Sequence, residues 1–251
     1  MRGGQHVTSC TVRKRSHNAA MAKAHPTAPA GKRNVKRLLL VDDHPIMRHG
    51  LVQLISAEDD LEVCAEAGTA EEGLKAVAKW SPDLVIADLT LPDKHGLEFI
   101  KDLRALHPET QVIVLSMHDE SLYAERALRA GARGYLMKEA AAGNLIRAVR
   151  RALGGEIYLS DKMSSTMLEL LSGQRKSATP AGVDRLTDRE LEVLQLIGSG
   201  RGTRHIADQL HISVRTIDAH RAHIKDKLQL PDGNALVRYA VRWVENQQKA
   251  T

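Results

Sequence analysis

The sequence predicts two folded parts of different class: a doubly wound α/β domain with a five-stranded parallel sheet, and an all-α domain built on a helix-turn-helix. Three observations predict this. From Leu38 to about residue 155, short apolar runs alternate with amphipathic helical patterns, as in a parallel sheet wrapped by helices. The stretch SGQRKSATPAGVDR, rich in Ser, Gly, Pro and charge, then interrupts the pattern. Beyond it, a short helix, a three-residue turn and a longer helix lie between Thr203 and Leu228. The resulting divisions are a tail (1–36), an α/β domain (37–155), a linker (156–185) and a helical domain (186–251). A chain of 251 residues is long enough for two such cores.

The tail is basic and poor in large apolar groups. Residues 1–37 hold nine Lys/Arg and no Asp/Glu, and the rest of the chain holds 27 basic against 31 acidic side chains. The formal charge of +5 therefore belongs to the tail. Disorder is its expected state, with organellar import or contact with DNA phosphates as alternatives. Met21 offers a second start. Cys10 and Cys64 lack the spacing of a zinc site or a disulfide scaffold, and no run reaches the ~18 apolar residues of a membrane span. A cytoplasmic protein with no membrane role is expected.

Strands are predicted at 38–41 (LLLV), 62–67 (EVCAEA), 83–88 (DLVIAD), 111–115 (QVIVL) and 134–137 (GYLM), with helices between them. In the first helix Pro45 suits the first turn, and Ile46, Gly50, Leu51, Leu54 and Ile55 recur at helical spacing as the packing face. Ligands in such folds bind beyond the carboxyl ends of the strands. There the sequence places Asp42 and Asp43, Asp88, Ser116 and Lys138. Each residue alone is ordinary: an Asp or Ser after a strand is commonly a helix cap, and a lone Lys a solvated charge. Together, five such residues at the ends of four strands point to one site. Three converging carboxylates repel unless a cation joins them, and hard oxygen donors suit Mg2+ at ~2.0–2.1 Å. Beside such an ion Asp88 can attack a phosphoryl group, with Ser116 and Lys138 engaging the phosphoryl oxygens.

The segments LLLVDDHP, VIADLTLPDKHG, VLSMHDE and GYLMKEA resemble the receiver domain of two-component response regulators, a flavodoxin-like fold, over about residues 36–155. The resemblance implies that Asp88 is the phosphoacceptor. It further implies that Asp42 and Asp43 support Mg2+ and that Thr90 supplies a backbone carbonyl ligand. Ser116 and Lys138 take the positions of the phosphate-sensing hydroxyl and the ion-pairing lysine, and Tyr135 that of a rotating switch aromatic; simple packing is the other reading of Tyr135.

In the second domain, LTDREL reads as a capped helix start at Thr187, with Glu190 three residues on and Leu191, Leu194 and Ile197 behind it. Gly198 and Gly200 stop that helix. Helices follow from Thr203 to Leu210 and from Ser213 to Leu228. On the longer one Ile217, Ile224 and Leu228, with Val214 beside them, form the expected buried arc. The opposite face carries Arg215, Asp218, Ala219, Ala222 and His223, small and polar enough to enter a major groove; an ordinary exposed face is the other reading. A last helix, Asn234 to about Val244, is apolar around much of its surface, suiting a dimer contact or a fully buried helix.

The stretch LTDRELEVLQLIGSGRGTRHIADQLHISVRTIDAHRAHIKDKLQL resembles the LuxR-type DNA-binding domain, so the whole chain is similar to NarL/FixJ-family transcriptional response regulators. That implies phosphorylation by a sensor histidine kinase, a homodimer on phosphorylation, double-stranded promoter DNA as ligand and RNA polymerase as a further candidate partner. Arg204, Arg215, Arg221, His223 and Lys225 form the expected DNA-contact set, with Arg221 close to the buried arc. Asp218 stands where many members carry lysine. No enzymatic activity beyond self-phosphorylation and dephosphorylation is implied. One rival is a magnesium phosphatase, which expects an acidic residue where Thr90 stands. Another is a phosphate sink or protein-interaction regulator with weak or no specific DNA binding.

Overall fold

The computed structural model describes residues 35–172 and 182–250. Nearly all of the basic tail (1–36), with Cys10 and Met21, lies outside the described residues, as does the middle of the expected linker (156–185).

Five strands form one parallel sheet: β1 (Lys36–Val41), β2 (Leu61–Ala67), β3 (Leu84–Ala87), β4 (Gln111–Ser116) and β5 (Gly134–Met137), in the order β2-β1-β3-β4-β5. The helices between them are α1 (Pro45–Ser56), α2 (Ala70–Trp80), α3 (Gly96–Leu106) and α4 (Glu120–Ala130), and α5 (Ala141–Leu153) follows β5. Successive strand residues point to opposite faces, and both faces are covered, which is why the strands read as unbroken apolar runs. Leu38, Leu40, Leu84, Ile86, Ile113 and Leu115 pack with α1 and α5 on one face. Leu39, Val41, Val85, Ala87, Val112 and Val114 meet α2, α3 and α4 on the other.

The predicted face of α1 needs correction. Leu51 and Ile55 are buried, but Ile46 is 90% exposed and Gly50 is exposed too. At 100° per residue Ile46 stands about 140° from Leu51, so the five positions do not share one arc.

After α5 the chain passes along the sheet edge, where Tyr158 pairs with Gly134, and enters α6 (Asp161–Leu171). The helical domain comprises α7 (Asp188–Gly198), α8 (Thr203–Gln209), α9 (Val214–Leu228) and α10 (Gly233–Ala250). Thr187 and Glu190 form the reciprocal capping box that LTDREL predicts. Gly198 does more than stop α7: a Cβ there would collide with the Ala240 carbonyl, so glycine permits the close approach of α10. Ile217 and Ile224 are fully buried and Leu228 is half-buried, whereas Val214, the first residue of α9, is 42% exposed and leaves the expected arc. α10 buries Leu236, Ala240 and Trp243 along one stripe and leaves Val237 exposed, so it is not the fully buried helix that was one expectation. It also runs past Val244, because the polar residues that follow carry no apolar signal yet are good helix formers.

The apolar cluster on the α2–α4 face of the sheet continues through Val183 and Leu186 into α7, α8, α9 and α10.

Candidate functional site

The strand order reverses between β1 and β3, and the loops leaving these two strands are forced apart there, opening a crevice at their carboxyl ends. Asp42 and Asp43 follow β1, Asp88 follows β3, and Lys138 follows β5. The Asp88 N–H donates to the Val41 carbonyl at 2.8 Å, tying the two loops together. A Cβ at Gly96 would collide with the Asp88 carbonyl, so the start of α3 closes on the Asp88 loop only because residue 96 is glycine.

All three strands deliver their side chains to one place. Lys138 Nζ lies 2.7 Å from Asp42 Oδ2 and 2.8 Å from Asp88 Oδ2, with all three side chains buried. Asp88 Oδ1 accepts from the Leu89 N–H at 2.6 Å, and Asp42 Oδ1 from the His44 N–H at 2.8 Å. Asp42 Oδ2 and Asp43 Oδ1 are buried, and the groups that face them are Lys138 Nζ and His44 Nδ1 respectively. Burial pushes the Asp88 carboxyl up from its ordinary value, against the pull of Lys138 and with that of Asp42. Burial works to lower Lys138, but Asp88 and Asp42 outweigh it and hold the ammonium charged. One ammonium shared by Asp42 and Asp88, with Asp43 beside them, leaves more carboxylates than cations in the site.

Donor atoms of Asp42, Asp43, His44 and Asp88 lie within 4.8 Å of one another. Three clustered carboxylates with one buried ammonium among them, in a site short of positive charge, fit a hard divalent cation. His44, with Nδ1 2.5 Å from Asp43 Oδ1, is an addition the sequence reading did not make. Its position one residue past the Asp pair was the available signal.

Ser116 is fully buried at the end of β4, and its Oγ accepts from the His118 N–H at 3.3 Å. Tyr135 is fully buried in β5, its hydroxyl donating to the His118 carbonyl at 2.8 Å, and burial pushes the phenol well up. Both expected switch residues thus hold the backbone of His118. Thr90 lies two residues past Asp88, with its Oγ1 3.2 Å from His118 Nε2 and 3.3 Å from Glu192 Oε1 in α7.

Of the expected DNA-contact residues, Arg204, Arg215 and His223 are exposed while Arg221 and Lys225 are half-buried. Asp218, Ala219 and Ala222 are exposed on α9 as well. The α/β and helical parts are joined through α7. Asp188 accepts from Arg126 Nη1 at 2.8 Å and lies 3.3 Å from Lys101 Nζ, and the Tyr123 hydroxyl donates to Gln195 Oε1 at 3.4 Å. Burial works to raise Asp188, but the Arg126 hydrogen bond with His95 and Lys101 nearby holds it low. At the helix-turn-helix turn, His211 Nε2 lies 3.8 Å from Asp43 Oδ2.

Residues 38–150 match the response regulator receiver domain, and residues 184–240 match the bacterial regulatory proteins of the LuxR family. The chain belongs to the NarL/FixJ-type response regulators. The oxygen regulatory protein NreC of Staphylococcus carnosus is 35% identical over 210 residues, covering 82% of this chain and 97% of NreC. NreC of Staphylococcus haemolyticus is 34% identical with the same coverage. Among solved structures, RcsB from Salmonella enterica serovar Typhimurium, bound to promoter rprA with the phosphomimetic BeF3-, is 26% identical. It covers 83% of this chain and 99% of its own, with a TM-score of 0.56. A LuxR-family two-component response regulator from Aurantimonas sp. SI85-9A1 is 33% identical over 55% of this chain and 99% of its own, with a TM-score of 0.52. As a NarL/FixJ-type response regulator the chain is a DNA-binding regulator of transcription in a two-component system, and the phosphate-sink reading is not favoured. Among the described residues, no helix is long and apolar enough to cross a membrane.

Proposed function

We propose that Asp88 takes a phosphoryl group from a phosphohistidine of a sensor histidine kinase, and that the acyl phosphate governs how the second domain uses promoter DNA. In that transfer the kinase N–P bond breaks, an Asp88 O–P bond forms, and the histidine imidazole leaves. The observation that carries the reading is the single Lys138 ammonium spanning Asp42 and Asp88, with Asp43 clustered beside them. Asp42, Asp43, Asp88 and the Thr90 carbonyl would hold Mg2+, which when bound supplies charge neutralisation on the transferring oxygens. Lys138 stays beside Asp88 to pair with the incoming phosphoryl oxygens, and Ser116 donates its hydroxyl to one of them. Tyr135, held inward by His118, moves with that loop.

The receiver spans 37–155, the linker 156–185 and the DNA-binding domain 186–251. Arg215 and His223 on the open face of α9 and Arg204 on α8 reach DNA, supported by Arg221 and Lys225. Phosphorylated protein forms a homodimer on paired half-sites, with α10 as the contact and RNA polymerase as a partner at the promoter. It acts in the cytoplasm and is not an enzyme beyond its own phosphorylation and dephosphorylation.

Intact mass and sedimentation of wild type and Asp88→Asn, with Mg2+ and acetyl phosphate, test this. Wild type alone is expected to gain one phosphoryl mass and shift toward dimer. A mass gain shared by Asp88→Asn would displace the phosphoacceptor from Asp88.

A further inference from the structure

We infer that Glu192 is the residue through which the DNA-binding domain reads the phosphorylation state of the receiver. The inference rests on Asp88 as the phosphoacceptor and assigns the contact that reports it. Glu192 is 1% exposed on α7, the helix through which the receiver and the helical domain are joined. Three receiver side chains lie against its carboxylate. Thr90 Oγ1 donates to Glu192 Oε1 at 3.3 Å, His118 Nε2 lies 3.5 Å from the same oxygen, and His95 Nε2 lies 3.9 Å from Oε2. Each belongs to a loop of the acidic site or packs on one: Thr90 follows Asp88, His118 follows Ser116, and His95 pairs with Thr90 in an isolated bridge. Burial alone would push the Glu192 carboxyl up, yet His118, His95 and Arg189 hold it down at about 2, so a full negative charge sits inside the contact.

On its other side Glu192 is wired to the helix-turn-helix. Arg189 Nη1 donates to Glu192 Oε2 at 2.8 Å, and Arg189 Nη2 donates to the Leu210 carbonyl at 2.8 Å. Leu210 ends α8 and is followed by His211 in the left-handed conformation at φ +53°, which turns the chain toward α9. An unbroken chain of charge-assisted contacts therefore runs from the Asp88 loop to the turn that sets the recognition helix.

The switch residues act on this chain through His118. In the structure the Ser116 hydroxyl accepts from the His118 N–H and the Tyr135 hydroxyl donates to the His118 carbonyl, and the His118 ring lies 4.8 Å from the Tyr123 ring. A phosphoryl group on Asp88 that draws the Ser116 hydroxyl toward itself removes the acceptor from His118. The loop then carries its ring away from Glu192. A buried carboxylate stripped of receiver partners is costly, and the cost is relieved by undocking α7 into water. Glu192 is thus a positioning residue: it contacts no reacting atom and holds the domains docked only while the site is unphosphorylated.

The test is amide hydrogen exchange on the full chain, wild type and Glu192→Gln, with Mg2+ and with or without beryllofluoride, alongside intact mass after acetyl phosphate. In wild type, beryllofluoride is expected to raise exchange in residues 188–195 and 117–123 about tenfold, the scale of one charged hydrogen bond. Glu192→Gln is expected to show that exchange without beryllofluoride and no further rise with it, while α9 and α10 keep wild-type protection. A variant that stays protected and still opens with beryllofluoride overturns the proposal. So does extra exchange spread through α9 and α10, which would mark Glu192 as a support of the helical domain alone. If wild type gains phosphoryl mass without opening, the role of Glu192 fails while the phosphoacceptor reading stands. If it gains no mass and does not respond to beryllofluoride, both fail.

Discussion

Lys138→Met removes one cation from between two carboxylates and offers the most direct probe of the acidic site. Lys138 Nζ sits 2.7 Å and 2.8 Å from Asp42 and Asp88, and all three side chains are buried. Methionine fills most of the volume, so little of the cost is lost packing. Leaving buried charge without its partner costs about 3–5 kcal/mol, and two carboxylates are left here rather than one. A divalent ion bound to the same oxygens relieves part of that loss. Mg2+ at about 100 times its dissociation constant stabilises a folded site by about 2.7 kcal/mol, and in the variant its affinity rises because the competing ammonium is gone. Urea unfolding followed by circular dichroism, for both proteins with and without Mg2+, closes a four-state cycle. The expected result is a loss of about 3–5 kcal/mol without Mg2+ and a coupling of at least about 1 kcal/mol, Mg2+ stabilising the variant more than wild type. Equal Mg2+ stabilisation in both proteins would mean that ion and ammonium do not share these carboxylates, and the reading of the site would fall.

His95 gives a pH-dependent prediction. Burial lowers its pKa from 6.5 to about 4, and its Nδ1 accepts from the Leu97 N–H at the start of α3, so the folded protein favours the neutral ring. A base depressed in the fold contributes stability that is complete above pH ~6.5 and lost as pH falls toward ~4, a span of about 3 kcal/mol at most. His95→Asn keeps an acceptor for the cap and is expected to flatten the change in urea midpoint between pH 7 and pH 4.5; an unchanged slope would place the titration elsewhere. On α9, Asp218→Lys replaces an exposed anion by a cation on the proposed DNA face. It is expected to tighten binding to a mixed-sequence duplex and to steepen the salt dependence by about 0.9, the mark of one more phosphate contact, in fluorescence anisotropy. Unchanged affinity and slope would remove that face from the DNA interface.

The acidic site was legible because a parallel sheet leaves little freedom in where it puts chemistry. Once the five apolar runs are taken as strands, Asp42, Asp43, Asp88, Ser116 and Lys138 fall at one edge, and the structure brings Asp42, Asp88 and Lys138 into contact. Helix faces were harder. Ile46 entered the predicted stripe by its spacing, although its angle around the helix places it in solvent. Val214 has the angle but stands at the open first turn of α9, where half an arc has no neighbour. The end of α10 was hidden for a different reason, since polar residues extend a helix without announcing it.

Glu190 and Glu192 show most clearly where sequence reasoning stops. They are two residues apart on one helix, chemically identical, and both buried, at 3% and 1% exposure. Glu190 is readable because its partner is local: it faces the backbone of Thr187 three residues away and closes the capping box, with Lys227 2.6 Å from its carboxylate. A step of two residues turns the helix by about 200°, so Glu192 reaches the receiver while keeping Arg189 of its own domain as a partner. Its partners Thr90 and His118 lie 102 and 74 positions earlier in the chain. No periodicity within α7 distinguishes a carboxylate aimed at another domain from one aimed at water. Only the docked arrangement of the receiver against α7 separates them, and that arrangement is what phosphorylation would change.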